Sequence, residues 1–224
     1  MQNNKKFIDL RPLIKLDSMK ATMKTLSAIL ICCFISTIQM YGENIQRPES
    51  ENYVKGVEAL NEGNPEAAYT YLNAEINEHP DNGYAHCYMA LICNFCNDTK
   101  LALQALNSSL ELIPEADTEY RSFAHYSRGV LLSNLKMWER AEADLNEAIR
   151  LNPEDVENYK SRAQLYFETE RYEESLDDLT RALKLDSKAD VNDLMLQLMA
   201  VAPTSEFMER ITATYQQLDQ VTIH

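Results

Sequence analysis

The 224-residue chain predicts an all-α solenoid of about four helical hairpins, closed by a C-terminal capping segment. Three observations predict it. A unit of 34 residues recurs, with 156–189 repeating the residue types of 122–155 at the same offsets, and a fixed period of that length marks a repeat array. Within each unit two stretches carry apolar residues at helical spacing, as with Tyr159, Ala163 and Tyr166, then Leu176, Leu179, Ala182 and Leu183. The composition, 45% apolar with only five glycines, suits a helical domain of ordinary core size.

Aligned on Pro80, Pro114 and Pro153, with Ser187 in the fourth place, the pattern gives four copies: 49–82, 83–116, 122–155 and 156–189. Small residues fall at the eighth position (Gly56, Ala90, Gly129, Ala163) and the twentieth (Ala68, Ala102, Ala141, Ser175). They let paired helices approach closely. Leu72, Leu106, Leu145 and Leu179 at the twenty-fourth position fill the gap beside them, and Ala59, Cys93, Leu132 and Tyr166 at the eleventh are mostly apolar. The seventeenth holds Pro65, Thr99, Trp138 and Tyr172. Between the two helices of the fourth unit lie Glu170 and Arg171, so each unit reads as a hairpin. One hairpin cannot bury its own face, and stacked neighbours bury it together. The prolines end each second helix, because proline lacks the N–H and clashes with the preceding turn. Between the second and third copies, 117–121 exceed the period and form either a longer turn or an extra turn on the next helix. After residue 189 the pattern fades, and 190–218 reads as two helices split by Pro203, a cap or degenerate fifth repeat. Ser205 is the expected N-cap of the second, and Leu194, Leu198 and Met199 the expected cover for the last repeat.

These copies resemble the tetratricopeptide repeat (TPR), defined by a small residue, an aromatic, a second small residue and a closing proline. The third copy, "RGVLLSNLKMWERAEADLNEAIRLNPE", follows it nearly throughout, while "GVEALNEGNPEAAYTYLNAEINEHP" and "MALICNFCNDTKLALQALNSSLELIP" are weaker but in register. The resemblance implies a TPR-type α-solenoid and a non-catalytic adaptor that holds a protein or peptide partner in a concave groove. It places in that groove Tyr53 and Val57 of the first unit, then Tyr84, Leu91 and Phe95. From the third and fourth it places Phe123, Tyr126, Val130 and Asn134, then Lys160, Gln164 and Phe167. Tyr84, Tyr126 and Phe167 are expected as an exposed apolar strip, the kind of surface that marks a partner site. Some TPR domains clamp a chaperone's terminal carboxylate with Lys, Asn and Arg. Here Tyr53, Val57, Tyr88, Phe123 and Ser127 stand at those places, so that clamp is absent.

The N-terminal 1–42 differs. Lys20 and Lys24 precede "LSAILICCFISTI" at 26–38, too short to span a bilayer comfortably. A basic start, a run of this length and polar residues after it read as an export signal ending near Gly42, with Met1, Met19 or Met23 as the start. The predicted location is periplasmic or secreted; an uncleaved anchor and a lipoprotein built on Cys32 or Cys33 stay open. The net charge is −14, and beyond residue 42 fifteen Lys and Arg face thirty-three Asp and Glu. That balance excludes nucleic acid as a partner class, since phosphate affinity needs clustered cations.

Cys87, Cys93 and Cys96 with His79 and His86 form the densest group of ligand types. Cys93 and Cys96 make a CxxC, but Cys93 falls at a packing position and neither sits at a helix N-terminus, where thiolates are stabilised. They read as buried structural thiols, and no metal or cofactor is expected. A thiol–disulfide envelope module remains the alternative. No nucleophile with base and orienter can be assembled, and Asp177 with Asp178 or Glu173 with Glu174 point to different sides of a helix.

Overall fold

The computed structural model describes residues 45–202 and 204–221; the predicted export signal of 1–42 and Pro203 lie outside them. Among the described residues there are ten helices: α1 (Glu51–Asn61), α2 (Pro65–Glu78), α3 (Gly83–Phe95), α4 (Thr99–Leu112), α5 (Thr118–Asn134), α6 (Trp138–Leu151), α7 (Val156–Glu168), α8 (Tyr172–Leu185), α9 (Asn192–Val201) and α10 (Ser205–Val221). They divide into two compact units between Asp117 and Thr118. In the first, α1 pairs with α2 and α3 with α4; in the second, α5 pairs with α6 and α7 with α8, and α9 and α10 pack on α8.

The close approach at the eighth position follows from its small side chains. A Cβ added at Gly56 would lie 2.7 Å from Leu72 Cγ, and one at Gly129 would lie 2.8 Å from Leu145 Cγ. The fourth repeat does the same with a polar contact: Ser175 Oγ donates to the Ala163 carbonyl at 2.8 Å. Gly83 is a further requirement, because its Cβ would meet Ile113 N at 2.8 Å and Leu112 Cβ at 2.9 Å.

Every hairpin turns the same way. The fifteenth residue of each repeat, Gly63, Asn97, Lys136 or Glu170, has φ between 58° and 71°. The next N–H returns to the eleventh residue's carbonyl, as from Asn64 to Ala59 and from Arg171 to Tyr166, both at 2.8 Å. This is the left-handed helix stop of the Schellman type. The second helix then starts at the seventeenth position, where Pro65 at N1 is preorganised. Asn64, Asn82 and Asp98 cap α2, α3 and α4 through their side chains. His79, Ile113 and Asn152, each before a closing proline, leave the helical region, as the following ring demands.

The residues in excess of the period resolve as an extra first turn on α5, which starts at Thr118 and buries Tyr120. At the other end Leu194, Met195 and Leu198 of α9 and Phe207 and Ile211 of α10 join the core of the fourth repeat, with Met199 packed against it. The N-cap of α10 is Thr204 rather than Ser205: Thr204 Oγ1 accepts from Phe207 N at 3.1 Å, while Ser205 is already helical.

Candidate functional site

The predicted groove residues divide by burial. In the C-terminal unit Phe123, Tyr126, Val130, Lys160, Gln164 and Phe167 are half-buried and Asn134 is exposed. Phe123 and Tyr126 stack with centroids 6.5 Å apart, and Phe167 tilts against Tyr172 at 5.6 Å. Burial pushes the Tyr126 phenol up to about 12, against the lowering effect of its hydrogen bond with Ser161, so it is an uncharged hydroxyl at neutral pH. Lys160 pairs with Glu157 at 2.8 Å, and Gln164 donates to Glu168 at 2.9 Å. α5 and α7 thus present aromatic and aliphatic side chains beside amide, ammonium and carboxylate groups. That mixture can bury apolar anchors of a ligand while pairing its backbone.

The N-terminal unit departs from the prediction. Val57, Leu91 and Phe95 are half-buried, but Tyr53 and Tyr84 are only 7% and 5% exposed. Tyr53 is not a free surface ring, because it lies 6.1 Å from Tyr88 in a tilted pair. Tyr84 is drawn inward by its hydroxyl, which donates to Asp117 Oδ2 at 2.9 Å; Arg47 donates to both oxygens of the same carboxylate. The expected strip through Tyr84 therefore loses its first member. Asp117 lies within the residues exceeding the period, and Arg47 lies outside the repeats, so the repeat alignment carried no signal for their pairing.

A second arrangement escaped the sequence reading, although its signal was a recurrence at the 34-residue period. Arg128 forks onto Asp144 at 2.7 and 2.8 Å, and Arg162 forks onto Asp178 at 2.7 Å through both nitrogens. His125 adds a bond to Asp144 at 2.9 Å. Arg162 also reaches Asn146 at 2.6 Å, linking α6, α7 and α8. Burial raises Asp144, but the bonds from Arg128 and His125 outweigh it and hold the carboxyl below its ordinary range. In Asp178 burial outweighs Arg162, and the carboxyl is raised. Arg171 lies over the Tyr166 ring at 4.1 Å and bonds Glu142 at 2.8 Å.

Cys87 and Cys93 are free and buried, and Cys96 is free and half-buried. Burial pushes the Cys87 and Cys93 thiols up to about 12 and raises Cys96. Such thiols carry little thiolate, the species that attacks disulfides. Among the described residues no helix is long and apolar enough to cross a membrane, and no group of three or more His, Cys, Asp and Glu is placed to hold a metal ion.

Two family models, both described as tetratricopeptide repeat, match residues 122–155 and 157–188. The chain is similar to a Lipoprotein NlpI homolog of Haemophilus influenzae, 31% identical over 87 residues, 39% of this chain and 28% of the relative. It is also similar to Tetratricopeptide repeat protein 6 of Homo sapiens, 24% identical over 143 residues, 64% of this chain and 26% of the relative. The chain thus spans only 28% and 26% of the lengths of these curated relatives. Among solved structures, MamA 41-end from Desulfovibrio magneticus RS-1 superposes with a TM-score of 0.60 at 19% identity, covering 76% of this chain and 94% of that one. At that identity the likeness concerns the fold alone.

Proposed function

Because the chain is a tetratricopeptide repeat protein, we propose that it is a non-catalytic scaffold whose third and fourth repeats hold a peptide segment of another protein. The observation that carries this reading is the partly buried set Phe123, Tyr126, Val130 and Phe167 on α5 and α7, which keeps some apolar surface open. Large apolar side chains kept at the surface beside polar groups fit an interface better than a solvated face. The groups around them suit an extended or helical peptide: Lys160 and Glu157 offer both charges, and Gln164 and Asn134 both donate and accept. We place the protein in the cell envelope, on the basic and apolar pattern of 1–42 and on the likeness to a lipoprotein. A membrane association through an uncleaved N-terminal segment fits the same location.

A photocrosslinking side chain at Phe167, with a second at the exposed Arg140 as control, tests the surface in living cells. Crosslinked protein adducts at Phe167 and none at Arg140 support the reading. Equal adducts at both positions, or none at Phe167, remove it. Fractionation tests the location, and full-length chain recovered in the cytosol would remove the envelope assignment.

A further inference from the structure

We propose that Asp117 and Tyr84 form a guanidinium-binding pocket in the N-terminal unit, filled in this chain by its own Arg47, and that residues 45–50 are thereby a releasable strap. The inference concerns the first two repeats and is independent of where a partner binds the third and fourth.

Asp117 is 1% exposed. A carboxylate buried to that degree is stable only with donors and a counter-charge around it. Its donors include Tyr84 Oη at 2.9 Å, Arg47 Nε at 3.1 Å and Arg47 Nη2 at 3.2 Å, the last two reaching separate oxygens. This is the planar fork that a guanidinium makes and an ammonium cannot. This counter-charge comes from a segment with no secondary structure, seventy positions away in sequence.

That segment is shaped for the task. Pro48 confines Arg47 to extended backbone, and the chain stays extended at Ser50, with φ −60° and ψ 143°. Ile45, Arg47 and Pro48 are half-buried, whereas Gln46 and Glu49 are exposed, so one edge of the segment lies inward. The segment has no helical hydrogen-bond ladder, and the Arg47 fork is a strong contact between it and the folded unit. An extended segment docked through an arginine fork is also how this pocket would take an arginine-bearing peptide from outside, once the strap has left it.

The test uses the full chain with Arg47→Ala and Arg47→Lys, read by hydrogen exchange over 45–50 and by melting with N-acetyl-arginine amide or N-acetyl-lysine amide. In Arg47→Ala, exchange over 45–50 is expected to rise about tenfold or more, as for loss of a charge-assisted pair, with the amides of α5 to α8 unchanged. Arginine amide should raise the melting temperature of Arg47→Ala saturably, leave the wild type unmoved, and have no effect on Arg47→Ala combined with Asp117→Asn. Unchanged exchange over 45–50 in Arg47→Ala overturns the strap. Equal response to arginine and lysine amides, or none to arginine amide, overturns the pocket. Should Arg47→Ala fold poorly, Arg47→Lys keeps the charge, loses the fork and is read by the same outcomes.

Discussion

At the seventh and twenty-third positions of a repeat, the N-terminal unit sets Lys55 over the Tyr71 ring in its first copy and buries Met89 and Ala105 in its second. The C-terminal unit sets Arg128 on Asp144 and Arg162 on Asp178. At the twenty-seventh position the first unit buries the polar Glu75 and Ser109, with Glu75 accepting from Asn82 at 2.8 Å, where the second holds Ala148 and Ala182. The eighth and twenty-fourth positions behave alike in both units: Gly56 lies against Leu72 as Gly129 lies against Leu145. The difference separates two kinds of position. Where backbones nearly touch, only a small residue opposite a leucine fits. Where side chains bridge the helices, cation–π, apolar and ionic solutions all serve. The copies recognised by family models are the two with the ionic solution.

The largest expected break in this comparison is Arg162→Ala. It strands the buried Asp178 carboxylate and removes the link to Asn146, and should lower stability by about 3–5 kcal/mol in urea unfolding. Replacing Arg162 and Asp178 together by apolar residues of similar volume should recover most of that loss, as the first unit's Met89 and Ala105 suggest. Next comes Ala141→Leu at a fully buried twentieth position; overpacking there should cost about 1–3 kcal/mol, and an unchanged thermal midpoint would contradict the contact at Gly129. Tyr84→Phe removes one donor from the Asp117 carboxylate and should cost about 1.5–3 kcal/mol at most, whereas Tyr126→Phe in the other unit should cost less. Equal melting shifts for the two variants would erase the distinction between the units' groove tyrosines.

A smaller effect appears only in acid. Asp144 is held below the ordinary carboxylate range in the folded state, so its contribution is present above its unfolded value and is lost as pH falls through the folded one, below about pH 4. Asp178 is raised, and its sign is opposite: the fold favours its protonated form. Urea unfolding at neutral and acid pH should therefore show Asp144→Asn flattening the acid loss and Asp178→Asn leaving it in place. The smallest effect is at the hairpin turns. Gly63 and Asn97 suit φ near 60–70°, but Lys136 and Glu170 do not, and Lys136→Gly should stabilise by about 1 kcal/mol through relief of that conformation. No gain in melting temperature would mean that the lysine side chain offsets its strain.

The sequence by itself determined the hairpins, their period, the small-to-large contacts and the presence of a C-terminal capping segment. These are local matters: helical spacing, a proline that cannot continue a helix, and a glycine or alanine wherever a neighbouring backbone leaves no room. It also made visible the polar and aromatic set of α5 and α7, since those positions follow the repeat frame. Only the tertiary structure decided that Tyr53 and Tyr84 turn inward, that Thr204 rather than Ser205 caps α10, and that Arg47 closes on Asp117. The tyrosines and Arg47 depend on partners far away in the sequence, whereas Thr204 competes with Ser205 for a cap contact only three residues long, which helical spacing alone leaves open. Tyr84 is buried where a carboxylate accepts from its hydroxyl, and Asp117 sits in the residues that break the period while its cation precedes the first repeat. Periodicity encodes which faces of the helices meet; it does not encode the long-range pairing of one charge with another.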